Sequence, residues 1–275
     1  MPRRSRALLL GFLPLVPLLA LGVAVRSDAG SPPWTTATVW ATVHDPRIDE
    51  ASGISRSTYA RSLVFLHNDS GDTARFFAVG HDGATKAVFR VRDVRAVDWE
   101  DMAAGPDHTL WFGDIGDNAQ QRTSISVVRV REPRELHSHA VNGMVFRLRY
   151  ADGPHNAEAM LVRPHSGRVY VVTKDAAGGA IYRAPRQLSK HTTNVLRRVT
   201  TAPITVTGGD FAPGGHRLVL RSYARAFFYG RLGGHPHVVT LPAEQQGEAI
   251  AFTRDGRAVK VASEGVDQPI WRVAR

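Results

Sequence analysis

The chain has 275 residues, a formal net charge of +10 and no cysteine. Apolar residues make up 43% of it, which is typical of a globular protein rather than a disordered one. The lack of cysteine excludes disulfides, thiolate zinc sites and thiol nucleophiles. The basic residues are scattered along the chain and form no clustered basic face, so the sequence predicts no nucleic-acid partner.

The N-terminus has the pattern of an export segment. Arg3, Arg4 and Arg6 precede an uncharged apolar run from Leu8 to Val25. This order of charge and apolar residues is typical of a signal peptide, and the run is also close to the length of a membrane anchor. The sequence therefore predicts a signal peptide or anchor over residues 1–30 and an extracytoplasmic domain over residues 31–275, secreted or held in the membrane through residues 7–25.

A phrase recurs along the rest of the chain: an acidic residue, a short apolar strand, a turn and a second strand that ends in polar residues. Its copies start at Glu50, Glu100, Glu158, near Thr207 and at Glu248. Each copy is followed by one or two further runs rich in Val, Phe, Tyr and Leu, bounded by Gly, Pro and Asp, and such runs are typical of strands.

Units of this length with four strands each predict an all-β chain folded as a β-propeller. The spacing indicates five four-stranded blades, or six if the long second unit contains one more. The last unit has only three strands, ending at Ile270–Val273. We expect Thr36–Val43 to complete that last blade, because pairing the two ends of the chain would close the ring and remove exposed strand edges. The tryptophans are expected to pack between blades.

The repeated glutamates suggest where chemistry would occur. The first strand of each propeller blade lines the central channel, so Glu50, Glu100, Glu158 and Glu248 are expected to form a ring of carboxylates. Like charges at close range require either a retained proton or a bound cation. Oxygen ligands from several blades suit Ca²⁺, which we expect as the metal. The alternative is that these glutamates accept backbone hydrogen bonds from neighbouring blades and have a purely architectural role.

Polar residues also follow the second strands of several units. Asp69, Asp114 and Asp117 are predicted to add metal ligands, although aspartates beside glycines also commonly cap turns. Lys174 and Arg221 are predicted to face an anionic group of the ligand.

Several of these segments are similar to the repeats of known β-propeller families. Gln246–Phe252, followed by a turn and Val259–Gly265, resembles the repeats of phytase-like and SdiA-regulated-like β-propellers, and Asp98–Ala103 is similar to another copy. The whole chain after the export segment also resembles a group of secreted actinobacterial propellers, through His67–Asp72 and Gly113–Asn118.

The resemblance to phytase-like propellers implies a calcium site in the channel, held by Glu100, Glu158 and Glu248. Two departures weaken a transfer of activity. This chain has five repeat units where those families have six, and it lacks the fuller acidic clusters of a phytase calcium site. Fold similarity alone does not imply function.

These observations favour a monomeric, extracytoplasmic binding module whose acidic channel mouth takes a small molecule or an envelope polymer. One alternative is a metal-dependent hydrolase of phosphoesters or lactones, in which Glu158 or Asp175 acts as the base and Lys174 and Arg221 hold the substrate. A second alternative is an envelope scaffold that binds protein partners through its outer faces.

Overall fold

The structure is a computed structural model that describes residues 36–274, and the predicted export segment over residues 1–30 lies outside them. The described residues form twenty β-strands and no helix. The absence of helices follows from the sequence, in which short runs of β-branched and aromatic residues alternate with Gly, Pro and Asp turns. No helix within residues 36–274 is long and apolar enough to cross a membrane.

The strands pair as five antiparallel sets of four. The sets, in chain order, are β2 (Ala51–Arg56), β3 (Leu63–Asn68), β4 (Arg75–Gly80) and β5 (Thr85–Arg92); β6 (Trp99–Gly105), β7 (Thr109–Asp114), β8 (Ile125–Arg131) and β9 (His139–Tyr150); β10 (Ala157–Val162), β11 (Val169–Thr173), β12 (Ala180–Arg183) and β13 (Asn194–Thr201); β14 (Gly208–Phe211), β15 (Leu218–Arg221), β16 (Arg225–Tyr229) and β17 (Pro236–Thr240); and β18 (Gly247–Phe252), β19 (Ala258–Ser263) and β20 (Pro269–Ala274) with β1 (Thr36–Thr42).

The fifth set contains both the first and the last described strands. β1 pairs antiparallel with β20, and Thr36 lies opposite Ala274 while Thr42 lies opposite Pro269. A glycine turn fixes β1 against the first set: Gly83 has a φ of +77°, and a Cβ there would collide with the Thr42 carbonyl. The two ends of the described chain are thus joined in one sheet.

The second set is the longest unit, and its extra length extends its last strand. β9 has 12 residues, of which the N-terminal part also pairs in parallel with β5 and the C-terminal part with β13. Three sets are therefore connected at their outer edges into one twelve-stranded sheet, a linkage that the sequence does not predict.

Apolar side chains fill the space between adjacent sets. Five buried clusters are present, and each is formed by one set and the next, including the fifth set with the first. Trp40, Trp99 and Trp111 lie in three different clusters, where their large apolar surfaces fill the wedge between two sheets. The first strands β2, β6, β10, β14 and β18 contact one another in cyclic order.

Candidate functional site

The first strands share a local irregularity that directs side chains out of the regular pleat. In four of them a β-bulge inserts one unpaired residue near the strand start, and these residues are Ser52, Glu100, Glu158 and Glu248. β14 lacks the bulge, because Gly208 and Gly209 pair directly with Arg221 and Leu220. A bulge re-aims the side chain it carries, and here it brings carboxylates from three sets toward one another.

The position of the bulge shows that Glu50 is not equivalent to Glu100, Glu158 and Glu248, contrary to the prediction from the repeats. The Glu50 carbonyl accepts a hydrogen bond from the Asp69 amide at 2.9 Å, just as the Asp98 carbonyl accepts one from the Ile115 amide at 3.0 Å. Glu50 therefore matches Asp98, and the position equivalent to Glu100 is taken by Ser52. The Glu50 side chain is exposed and lies at the edge of the site rather than in its inner ring.

The bulge glutamates meet acids from neighbouring loops. Single carboxylate oxygens of Asp69, Asp98 and Glu100 lie within 4.8 Å of one another, and so do those of Asp69, Glu248 and Glu264. Asp69 belongs to both groups, and Glu158 is close enough to raise the pKa of Glu100. We call these six residues the acidic cluster; its members are Asp69, Asp98, Glu100, Glu158, Glu248 and Glu264.

The acidic cluster is costly to ionise. Burial, together with repulsion from Asp69 and Glu158, raises the pKa of Glu100 to about 11. Burial also raises the pKa of Asp69 to about 6, and burial with repulsion from Glu248 raises that of Glu264 to about 8. A cluster with these pKa values retains protons near neutral pH unless a cation replaces them.

Two buried oxygens in the acidic cluster lack a partner. Glu248 is 4% exposed and Glu158 is 5% exposed, and the Oε2 atom of each accepts no hydrogen bond from any described residue. Buried carboxylate oxygens are normally hydrogen-bonded or metal-bound. Oxygens that ligate one Ca²⁺ ion at 2.3–2.6 Å lie at most about 5 Å apart, so the two groups within 4.8 Å fit such an ion.

Polar side chains border the acidic cluster on two sides. Lys174 Nζ donates to Glu158 Oε1 at 2.6 Å and to the Tyr223 hydroxyl at 2.7 Å. Burial raises the pKa of Glu158 to about 7, although Lys174 acts in the opposite direction. Gln246 Nε2 donates to Glu248 Oε1 at 3.0 Å and to Glu264 Oε1 at 2.8 Å. Lys174 thus faces an acidic group of the protein itself.

Asp114 and Asp117 do not join the acidic cluster, because protein hydrogen bonds occupy their oxygens. Asp114 accepts from Arg122 at 2.7 Å and from the amides of Val97 and Asp98 at 3.2 Å. Asp117 accepts from the amides of Gln121 and Arg122 at 2.9 and 2.8 Å. These two aspartates shape the loop after β7 rather than supplying metal ligands.

Asp175 is a turn residue. Its side chain is exposed and accepts a hydrogen bond from the Ala177 amide at 2.7 Å. Its carbonyl accepts from Gly178 and Thr205, which fixes the loop after β11. The structure therefore gives Asp175 a capping role in place of the predicted role as a base.

Arg221 is buried and fully bonded to the protein. Its five N–H groups donate to four backbone carbonyls and the Glu244 carboxylate, which lies 2.8 Å from Nη2. Because an arginine has five donors and all five are used here, none remains for a bound anion. Arg221 is an anchor between the fourth and fifth sets, not the predicted ligand-facing group.

Two further acids bind backbone amides. Asp101 is fully buried, and its side chain accepts from the amides of Met102, Met160 and Gly209 on three first strands. Asp210 accepts from Arg56 at 2.6 Å and from the Phe252 amide at 2.9 Å. The architectural role considered for the repeated glutamates belongs to these aspartates, which hold the first strands together. Asp101 directly follows the bulge residue Glu100, whereas Asp210 lies on β14, which has no bulge.

Sequence reasoning missed Asp98 and Glu264 as members of the acidic cluster. Glu264 directly follows β19, as Asp69 follows β3, so the same signal that identified Asp69 could have identified it. Gly116 was also missed. A Cβ at Gly116 would collide with Glu100 Oε1 and with Asp98 Oδ2, so only glycine lets this loop approach both carboxylates.

A separate cavity lies between the second and third sets, away from the acidic cluster. It has a volume of about 710 Å³, is lined by residues such as Trp111, Arg129 and Phe146, and contains no member of the acidic cluster. Volume alone does not identify a site, whereas perturbed titratable groups that converge on one point indicate function. The acidic cluster is therefore the stronger candidate.

No family model matches the chain, and no curated protein matches its sequence. Solved structures do resemble it. The PQQ-bound aldose sugar dehydrogenase of Streptomyces coelicolor has a TM-score of 0.53 at 11% identity, over 89% of this chain and all of that one. XC5397 of Xanthomonas campestris, a gluconolactonase, has a TM-score of 0.51 at 13% identity, over 85% of this chain and 88% of that one. These likenesses show a propeller-like all-β fold.

Proposed function

We propose that the chain is an extracytoplasmic, five-bladed β-propeller that binds Ca²⁺ through the acidic cluster. The cyclic contacts of the five first strands support a closed ring, and so do the apolar clusters between every adjacent pair of sets. The β1–β20 pairing would complete the fifth blade. The extracytoplasmic location rests on the predicted export segment.

The observation that carries the calcium proposal is the buried, unpartnered Oε2 atom of Glu248, a member of one of the two groups of three converging carboxylates. All these donors are hard oxygens, which favours Ca²⁺ over Zn²⁺. The oxygens come from separate loops and bulges, so their spacing is adjustable. That adjustability suits the variable coordination of Ca²⁺ better than the strict octahedron of Mg²⁺.

Thermal unfolding with and without calcium tests this proposal. We expect 1 mM Ca²⁺ added to EDTA-treated protein to raise Tm, by the equivalent of about 2–4 kcal/mol if the Kd lies far below that concentration. The Glu100→Gln/Glu248→Gln variant should fold in EDTA and show no calcium shift. Glu135→Gln, which changes an exposed glutamate in a distant loop, should respond like the wild type. No shift of the wild type in millimolar Ca²⁺ would overturn the proposal.

A second candidate function is lactone or phosphoester hydrolysis at the same site. A carboxylate with a pKa near 7 is suited to general-base chemistry, and burial gives Glu158 such a pKa. Glu158 would take a proton from the attacking water, while Lys174 and Tyr223 would hold a substrate oxygen. A bound cation would polarise the substrate. The fold of the gluconolactonase structure is similar, and the resemblance to phytase-like repeats points to the same reaction class.

A panel of chromogenic lactones and phosphomonoesters, assayed with added Ca²⁺, tests the enzyme candidate. Turnover is expected in the wild type and should be lost in Glu158→Gln. Because Glu158 lies outside both three-carboxylate groups, the variant should keep its calcium-dependent rise in Tm. Turnover unchanged by Glu158→Gln would exclude this site as catalytic. A calcium shift without turnover on any substrate would leave a binding module.

A further inference from the structure

A second charged feature lies at the opposite end of the first strands from the acidic cluster. The turn after β2 and the turn after β18 enclose a cavity of about 160 Å³ between the first and fifth sets. We call it the cationic pocket. Its charged lining residues are Arg56, Arg61, Arg254, Asp255, Lys260 and Arg272.

Lys260 is the least expected of these residues. It lies on β19 and is only 6% exposed, with Nζ 3.2 Å from the ring centroid of Trp40. No described residue forms an ion pair or hydrogen bond with its ammonium group. A buried lysine without an anion is costly, and the cation–π contact with Trp40 offsets only part of that cost.

The neighbouring strand adds to this cost. Arg272 on β20 lies directly opposite Lys260 in the strand register, and it too forms no ion pair with a described residue. Like charges directly opposite each other destabilise an antiparallel pair. Burial, together with repulsion from Arg272, lowers the pKa of Lys260 to about 7.

The other charged groups of the pocket do not neutralise this pair. Arg56 is bonded to Asp210 on β14. Asp255 accepts hydrogen bonds from Thr253 and from the Arg257 amide within its own turn. Arg254 donates to the Tyr59 carbonyl, and Arg61 is exposed at the rim. An excess of positive charge therefore surrounds a cavity with no described acid bound to Lys260 or Arg272.

We propose that the cationic pocket binds a small oxyanion, a phosphate or a carboxylate, between Lys260 and Arg272. A planar guanidinium can donate two parallel hydrogen bonds to such a group, and the ammonium supplies a point charge. A cavity of about 160 Å³ has the volume of about five waters, which suits a phosphate or a small carboxylate. Bound anion would supply the missing counter-charge for the opposed Lys260–Arg272 pair.

Calorimetric titration in EDTA buffer at pH 7, with inorganic phosphate in one arm and acetate in the other, tests the proposal. We expect saturable binding in at least one arm, and the arm identifies the anion class. Lys260→Met and Arg272→Gln should each weaken that binding at least tenfold. Lys190→Gln, which removes an exposed lysine from the third set, should change it less than twofold.

Lysine labelling gives a readout that does not depend on variants. The chain has four lysines, so reductive methylation with formaldehyde at pH 7, which releases no oxyanion, can be followed for each by peptide mass analysis. Lys260 should react faster than Lys86 and Lys190, and the binding anion should slow its labelling at least fivefold while leaving those two unchanged. No binding of either anion at 10 mM, with Lys260 labelling unaffected, would overturn the proposal.

Discussion

Glu100 shows how one residue position creates the candidate site. Its β-bulge turns the side chain away from the regular pleat, and Gly116 lies against its carboxylate. Its neighbours Asp69 and Asp98 come from loops of two different sets. A single glutamate in a strand would be satisfied by water or backbone, whereas here burial and repulsion together favour the protonated form.

The first prediction concerns pH. Raised carboxyl pKa values mean that the folded protein binds more protons than the unfolded chain between about pH 4 and 8, so its free energy of unfolding in EDTA should fall as pH rises through this range. Glu100→Gln mimics the protonated side chain and should stabilise the protein at pH 8 but have little effect at pH 4, where Glu100 is protonated at little cost. Urea unfolding at pH 4, 6 and 8 measures both effects. A stability that rises with pH would contradict this account.

The second prediction concerns Gly116. Alanine there would push a methyl group into Glu100 and Asp98, so Gly116→Ala should weaken calcium binding at least tenfold in calorimetry. Gly214→Ala is the matched control, because a Cβ at Gly214 meets no atom within 4 Å. Equal calcium affinity in the two variants would show that the loop after β7 does not shape the site.

At the scale of strands and loops, the repeats predict which positions carry acids better than they predict how the strands pair around those acids. Acids at the starts of first strands and after second strands are visible in the repeats, and Glu100, Glu248 and Asp69 were identified from them. The bulge is not visible in the sequence, so the repeats align Glu50 with Glu100, whereas its structural equivalent is Asp98, two positions earlier. Hydrogen-bond partners are not visible either, and these distinguish Asp114 and Asp117, which shape a loop, from Asp69, which joins the acidic cluster.

The third prediction tests the anchor between the fourth and fifth sets. Arg221→Met would leave the Glu244 carboxylate buried without its partner, and should cost about 3–5 kcal/mol of unfolding free energy. The double variant Arg221→Met/Glu244→Gln should recover part of that loss, because no buried charge remains unpaired. Urea unfolding of the wild type, both single variants and the double variant forms the cycle. Additive losses would show that the pair is not coupled.

For the whole molecule, the repeat spacing predicts the grouping of strands, because each repeat encodes one set with its own turns. It does not predict the long strand β9, which joins three sets through parallel pairing, since contacts between distant segments leave no local signal.

The net charge of +10 does not show how unevenly the charged residues are distributed in the fold. The acidic cluster lies at one end of the first strands and the cationic pocket at the other.

The fourth prediction concerns the joining of the chain ends. Because the chain has no cysteine, a Thr36→Cys/Ala274→Cys variant introduces a single possible intramolecular disulfide at a register pair of β1 and β20. We expect this disulfide to form on oxidation and to stabilise the protein by about 2–4 kcal/mol relative to its reduced form. Oxidation that yields disulfide-linked dimers instead would contradict the β1–β20 pairing in solution.

The most direct test of the central claim is a crystal structure of the protein soaked in Tb³⁺, an oxygen-seeking substitute for Ca²⁺ with strong anomalous scattering. We predict one dominant anomalous peak, within about 3 Å of oxygens from Asp69 and at least two other members of the acidic cluster, and its displacement by excess Ca²⁺. A map with no peak at the acidic cluster, or a peak that excess Ca²⁺ does not displace, would contradict the proposal of a calcium site in the channel.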